Sequence, residues 1–213
     1  MGARTFSLVD QALGEIDRAI NVLWATPQPR RAPPGAPAGE SALSELDRQE
    51  SARLMRVNHA GEVAAQALYR GQALTARESG TASAMRQAAA EELDHLAWCD
   101  ERLKELSARS SVLNPLWYAG SFLIGSAAGM LGDRVSLGFI SETERQVESH
   151  LRDHLDRLPR DDRRSRAILE QMTHDEIEHG AKAAMLGGKE LPLWLKGAMR
   201  LTGKLMTRGS YWL

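Results

Sequence analysis

The sequence predicts an all-α protein, a bundle of antiparallel helices with accessory helices around it. Three observations carry that prediction. Apolar residues recur at steps of three and four through most of the chain, runs of β-branched residues that could form strands are few, and the breaks between periodic segments are mostly short. A length of 213 residues, 43% apolar and 26% charged, suits one compact core.

The elements follow in order. Phe6, Val9, Leu13, Ile16, Ile20 and Leu23 share one face, so residues 1–25 form an amphipathic helix that needs a partner. Asp10, Glu15 and Asp17 interrupt the apolar run that a secretory signal requires, and export is not expected. TPQPRRAPPGAPAGES, Thr26 to Ser41, holds five of the eight prolines and no periodicity, so residues 26–44 are a linker or exposed loop. Residues 45–213 then make the main domain. Its helices are expected over Glu45–Arg77, Ala82–Ser107, Pro115–Leu131, Arg134–Leu158 with Pro159 as its stop, Asp161–Leu186 with Gly187 and Gly188 as its stop, and Pro192–Arg208.

Charge and cysteine content narrow the function classes. A net charge of −1 with interleaved signs gives no footprint for nucleic acid. The single cysteine, Cys99, cannot close an intramolecular disulfide; it agrees with a reducing compartment and reads as a small apolar filler.

Four helices carry carboxylates where the apolar seam needs hydrophobes. In EELDHLAWCDERL, the seam of Met85, Ala88, Cys99 and Leu106 also takes in Glu92 and His95. Leu137, Ile140, Glu144, Val147, Leu151, His154 and Leu158 form a second such seam, and Leu169, Met172, Glu176, His179, Ala183 and Leu186 a third. Glu62 shares a face with Met55, Asn58, Ala65 and Tyr69. The order is a lone Glu62 followed by Glu92-x-x-His95, then a lone Glu144 followed by Glu176-x-x-His179, with gaps of 30 and 32 residues between lone and paired glutamates. Each gap carries the chain along one helix and back to the same height on the next.

Four buried carboxylates repel one another and lose hydration, at several kcal/mol per ion. Two divalent cations cancel four glutamates, and two neutral imidazoles add no charge. This donor pattern is that of ferritin-like di-iron or di-manganese carboxylate proteins. Oxygen-rich donors with one imidazole per metal suit two Fe, or Mn, better than zinc. Glu91 and Asp175, each four residues before one of the histidines, are rival ligands, and the seam phase favours Glu92 and Glu176.

RVNHAGEVAAQALYRGQALTAR, EELDHL, SETERQVESHL and HDEIEHGAKAA resemble the Coq7 family, the di-iron demethoxyubiquinone hydroxylases of ubiquinone biosynthesis, in its bacterial form. The resemblance covers Arg56 to Leu213, and NHAGE is its most specific element. It implies a ferritin-like four-helix bundle with additional N-terminal, membrane-facing and C-terminal helices. It further implies metal ligation by Glu62, Glu92, His95, Glu144, Glu176 and His179, with Glu92 and Glu176 bridging and Glu62 and Glu144 terminal. His150 matches a histidine linked with electron transfer or reductant, and Asn58 and His59 would orient ligands or bond structurally. Ala64, Arg145 and Leu151 depart from the residues common in that family and bear on substrate fit and on any tyrosine-mediated electron path. The implied reaction is hydroxylation of the ring of a demethoxyubiquinone or demethoxyubiquinol, a polyprenyl quinone, with O₂ and two electrons from a donor such as NADH or the quinol itself.

Such a substrate lives in lipid, and two segments could face it. Lys196, Arg200, Lys204 and Arg208 form a cationic stripe on the last helix, while Leu195, Ala198, Met199, Leu205 and Met206 lie mostly on other faces, and Trp194 and Trp212 suit the headgroup region. LWYAGSFLIGSAAGML, Leu116 to Leu131, has 16 residues, short of the roughly 18 to 20 that span a bilayer, and Gly120, Gly125 and Gly129 allow close approach of a neighbour or lipid tail. It is read as a membrane contact or a subunit interface, the latter in a homo-oligomer. The expected location is peripheral, on the cytoplasmic face of a bacterial inner membrane. Iron storage or peroxide detoxification by a ferritin-like protein, or an interaction module around a structural metal, would use the same donors.

Overall fold

The structure, a computed structural model, describes residues 7–35 and 43–213. Phe6 of the predicted first helix and residues 36–42 of the predicted linker lie outside the described residues. Within them the fold is all-α: α1 (Leu8–Trp24), α2 (Glu45–Thr75), α3 (Ser79–Glu105), α4 (Asn114–Met130), α5 (Asp133–Arg157), α6 (Arg163–Met185) and α7 (Leu193–Trp212). The predicted all-α class is borne out, with no strand among the described residues.

Local chemistry sets the helix ends. Ser7 and Asp10 close a capping box on α1, and Ser44 Oγ accepts from the Asp47 backbone N–H at the start of α2. Asp162 caps α6 by accepting from the Ser165 N–H at 2.9 Å. Gly187, at φ +96°, ends α6 in the left-handed region that favours glycine. α7 runs past its predicted end at Arg208 because its last turn is tied down. Trp117 Nε1 donates to Ser210 Oγ at 3.0 Å, the Tyr211 hydroxyl donates to Glu50, and the Arg53 guanidinium lies 4.6 Å from the Trp212 ring centroid.

α2, α3, α5 and α6 form the bundle. Short connections make α2 and α3, and α5 and α6, antiparallel neighbours. Its interior has two apolar layers. Met55, Trp98, Cys99, Leu151, Leu169 and Met172 fill one, and Tyr69, Met85, Ala89, Leu137, Ile140 and Ala183 fill the other. Burial of these side chains holds the four helices at fixed depth, and the seam glutamates fall between the layers. Cys99 is a buried filler, as predicted, with Sγ 3.9 Å from Met172 Sδ.

α4 runs along α2 through the predicted glycines. A Cβ at Gly125 would collide with the Leu68 carbonyl oxygen, and one at Gly129 with Thr75 Oγ1. Gly120 differs: a Cβ there meets nothing within 4 Å. Gly125→Val is expected to cost about 3 kcal/mol or more, because backbone must move to admit it. Gly120→Val serves as the control, and urea unfolding of the two side by side checks the difference.

The segments before α2 touch the bundle in two places. α1 docks through Ala19, Val22 and Leu23, which pack with Val63, Leu96 and Tyr118. Val9, Leu13, Ile16 and Ile20, on the face expected to need a partner, are more than half exposed. Glu15, on the docked edge, reaches Arg70 at 3.7 Å, and the centre of the apolar stripe is turned outward. Residues 26–35 have no helix, as their prolines require, and are mostly exposed, as expected of an exposed loop; two hydrogen bonds hold them to the bundle, from Trp98 Nε1 to the Arg31 carbonyl at 3.1 Å and from Arg164 Nη1 to that of Pro34 at 3.2 Å.

Candidate metal centre

Between the two apolar layers the structure brings the six predicted side chains together. Glu62, Glu92, His95 and Glu176 offer ligand atoms that all lie within 4.8 Å of one another, and Glu92, Glu144, Glu176 and His179 form a second such group. The groups overlap at Glu92 and Glu176. His95 Nδ1 lies 2.7 Å from one Glu92 oxygen, and His179 Nδ1 lies 2.8 Å from the other. Glu176 spans the same way, one oxygen 3.3 Å from His95 Nδ1 and the other 3.5 Å from His179 Nδ1. Each lone glutamate, Glu62 or Glu144, joins one group.

The cluster is dry. His95 has no exposed surface, and Glu62, Glu92, Glu144, Glu176 and His179 are all buried. Burial pushes Glu62 and Glu144 well above the ordinary carboxylate range, and the neighbouring charge of Glu92 on the first and Glu176 on the second adds to it. Burial also opposes ionisation of Glu92, but His95 and His179 outweigh it and hold this carboxyl at about 2. The same pairing keeps His95 well above an ordinary imidazole and His179 at about 11, against their burial. Without a cation, protons balance the charge.

The donors fit a pair of metal ions. Both Glu92 oxygens, Glu144 Oε1, Glu176 Oε2 and the Nδ1 atoms of His95 and His179 are buried with no hydrogen-bond partner. Several lie under 3 Å from one another, so proximity is present while bonding directions do not meet. Buried polar atoms left in this way cost about 1–3 kcal/mol each, a cost that shared cations remove. Hard carboxylate oxygens with one imidazole per group suit iron or manganese.

The rival carboxylates sit elsewhere. Asp175 Oδ2 accepts from the outer nitrogen of His95, Nε2, at 2.9 Å, and Glu91 Oε2 accepts from Nε2 of His179 at 3.0 Å. Each fixes the tautomer in which Nδ1 faces inward. The pairing is crossed, since Asp175 on α6 holds the α3 histidine and Glu91 on α3 holds the α6 histidine. Sequence spacing pointed to each histidine's own helix and missed this, because only packing sets contacts between α3 and α6.

The remaining predicted residues lie off the cluster. Asn58 Oδ1 accepts from His154 Nδ1 at 2.8 Å, and His59 meets Asn114 at 3.3 Å, so both make structural hydrogen bonds. His150 packs against His154 with centroids 3.9 Å apart and the rings tilted by 59°; burial lowers it to about 4 and keeps it neutral, and its buried Nε2 has no partner. It lines a groove of about 1320 Å³ between α2, α4, α5 and α7, whose wall also includes Glu62, Leu116, Gly120, Phe139 and Met199. Arg145 is at the groove too, paired with Glu142 at 2.6 Å, and Leu151 is core.

The groove's outer wall is amphipathic. Trp194, Leu201, Leu205 and Trp212 on α7 and Leu116 and Leu123 on α4 are exposed, beside exposed Arg200, Lys204 and Arg208. Lys196, predicted to join that stripe, is instead tied to Glu190 at 2.8 Å and faces Glu142 at 3.6 Å. No helix among the described residues is long and apolar enough to cross a membrane.

Comparison with known proteins agrees with this geometry. Residues 49–210 match the profile of the family described as ubiquinone biosynthesis protein COQ7. The chain is 55% identical to the 3-demethoxyubiquinol 3-hydroxylase of Bordetella parapertussis over 206 residues, covering 96% of this chain and 93% of that protein. The proteins of the same name from Nitrosomonas europaea and Nitrosococcus oceani are 52% and 51% identical, covering 96% and 100% of this chain and 99% and 100% of their own. On both grounds the chain belongs to the COQ7 family of ubiquinone biosynthesis proteins.

Proposed function

We propose that this protein hydroxylates the ring of a demethoxyubiquinol intermediate with O₂, using two iron ions held by Glu62, Glu92, His95, Glu144, Glu176 and His179. The observation that carries this reading is the overlap of two buried donor groups at Glu92 and Glu176, one wall of which, Glu62, opens on an apolar groove. The names of the relatives support the substrate.

In this reading Glu92 and Glu176 would serve both ions, and Glu62 and Glu144 would serve one each. The metal pair, when bound, supplies reduction of O₂ and delivery of one oxygen atom to the ring. The protein supplies the rest. The groove takes the isoprenoid tail along Leu116, Phe139 and Met199 and sets the ring beside Glu62, excluding water. His150, kept neutral by burial, lines the groove and helps to orient the ring. The Asp175 and Glu91 carboxylates keep the two imidazoles turned inward. Electrons come from NADH or from the quinol.

The exposed tryptophans, leucines and basic residues of α7, with the outer face of α4, would rest on an anionic bilayer at its cytoplasmic face and let the quinol enter sideways. Replacing Arg200 and Lys204 by glutamine is expected to weaken binding to anionic vesicles by about 1 kcal/mol for each charge removed. Flotation of the two proteins with such vesicles reads it.

O₂ uptake by anaerobically iron-loaded protein tests the function. Uptake should require a short-chain demethoxyubiquinol and yield a product heavier by one oxygen atom. Uptake at the same rate without quinol would favour iron storage or peroxide chemistry instead.

A further inference from the structure

The two halves of the cluster are alike except in one respect. Asp175 and Glu91 each hold the outer nitrogen of a histidine, and each accepts from a glutamine four residues earlier, Gln171 at 2.8 Å and Gln87 at 2.9 Å. Among the described residues, only Asp175 has a further clamp. Arg31, from the proline-rich arm, reaches the same Asp175 Oδ2 with Nη2 at 2.8 Å and Asp94 Oδ2 with Nε at 2.8 Å. Its guanidinium lies 4.8 Å from the Trp98 ring centroid, and its carbonyl accepts from Trp98 Nε1 at 3.1 Å. Asp94 and Asp175 are buried. One planar guanidinium thus ties α3 to α6 over the outer edge of His95. The Glu91 side chain is 32% exposed, and among the described residues Lys182, at 3.9 Å, is the one cation beside it.

Resting on the metal reading above, we propose that Arg31 is a positioning residue: the arm clamps Asp175 against His95 Nε2, so the metal on the His95 side is held more slowly exchanging than the one on the His179 side. Proline pre-sets the backbone on either side of the arginine pair at Arg30 and Arg31, which lowers the entropy cost of docking the arm. The asymmetry gives the two ions different lability although their direct donors are the same.

The test uses the full chain loaded with two iron(II) ions under anaerobic conditions and mixed with a chromogenic iron(II) chelator. Wild type should release iron in a fast and a slow phase. Arg31→Gln should speed the slow phase by about tenfold or more, the scale on which outer partners act on a metal, and leave the fast phase alone. Arg31→Lys should restore part of the slow phase, since an ammonium cannot bridge both carboxylates. In an Asp175→Asn background Arg31→Gln should add nothing. Arg164→Gln, which loosens the arm at Pro34 without touching Asp175, should leave the slow phase as in wild type. Equal acceleration of both phases, a slow phase unmoved by Arg31→Gln, or one moved as much by Arg164→Gln would overturn the proposal while leaving the metal reading intact. A wild-type chain that took up no iron would overturn both.

Discussion

Glu92→Ala and Glu176→Ala are each expected to cut bound iron from close to two per chain to below one and to abolish hydroxylation. Both residues place one oxygen near His95 Nδ1 and the other near His179 Nδ1, so either substitution removes a donor from both groups at once. Losing an outer partner of a metal ligand costs about 10–100-fold in affinity or activity, and losing a shared direct donor must exceed that. Glu62 or Glu144 belongs to one group only, so Glu62→Gln and Glu144→Gln should each weaken one ion more than the other. Glu170→Ala, at an exposed position of α6, should retain both ions. Metal analysis with activity on the same samples checks all five.

Metal-free protein is expected to lose stability as pH rises from about 7 to 9, and iron-loaded protein is not. Four shifts share a sign. Burial and neighbouring charge raise Glu62 and Glu144 far above the ordinary carboxylate value. Between that value and the raised one, the folded chain holds protons that the unfolded chain has released, so stability falls with pH. His95 and His179 are also raised, the latter to about 11, and their contribution is full below the unfolded imidazole value near 6.5 and lost as pH rises toward the folded one. Glu92, held at about 2, acts oppositely: its contribution is present above the unfolded carboxylate value of 4.5 and lost only as pH falls from there toward 2, outside this window. Burial lowers His59 and His150 to about 4 and His154 to about 2, so their contribution is present above the unfolded imidazole value of 6.5 and lost as pH falls below it, also outside this window. Metal binding displaces the same protons, so iron affinity should rise with pH where metal-free stability falls. Thermal unfolding of metal-free and loaded protein across that range checks both slopes. A metal-free Tm that climbs with pH would contradict the assignment of protons to the cluster.

The bundle and its polar layer were legible because a helix repeats every 3.6 residues and the core tolerates few charges. Glu62, Glu92, Glu144 and Glu176 stood on seams whose other members, such as Met55, Leu137 and Met172, are core residues in the structure. What failed was of another kind. The crossed hydrogen bonds of Asp175 and Glu91 depend on how α3 sits against α6, which no single-helix periodicity encodes. Arg31 gave little signal, two arginines among prolines reading as solvated linker, and the one clue is a charged pair in a segment with no other charge from Thr26 to Gly39. The face of α1 was identified correctly as apolar but not where it points, because Ala19, Val22 and Leu23 at its edge dock in place of Val9, Leu13 and Ile16. Lys196 was grouped with Arg200 and Lys204 by spacing alone, while Glu190 and Glu142 claim it in the fold.

Anomalous diffraction from crystals of the anaerobically iron-loaded chain tests the central claim most directly. The account predicts two iron peaks in each chain, both bounded by Glu92 and Glu176, one beside His95 and Glu62 and the other beside His179 and Glu144. A single peak, or iron bound away from these side chains, would contradict it.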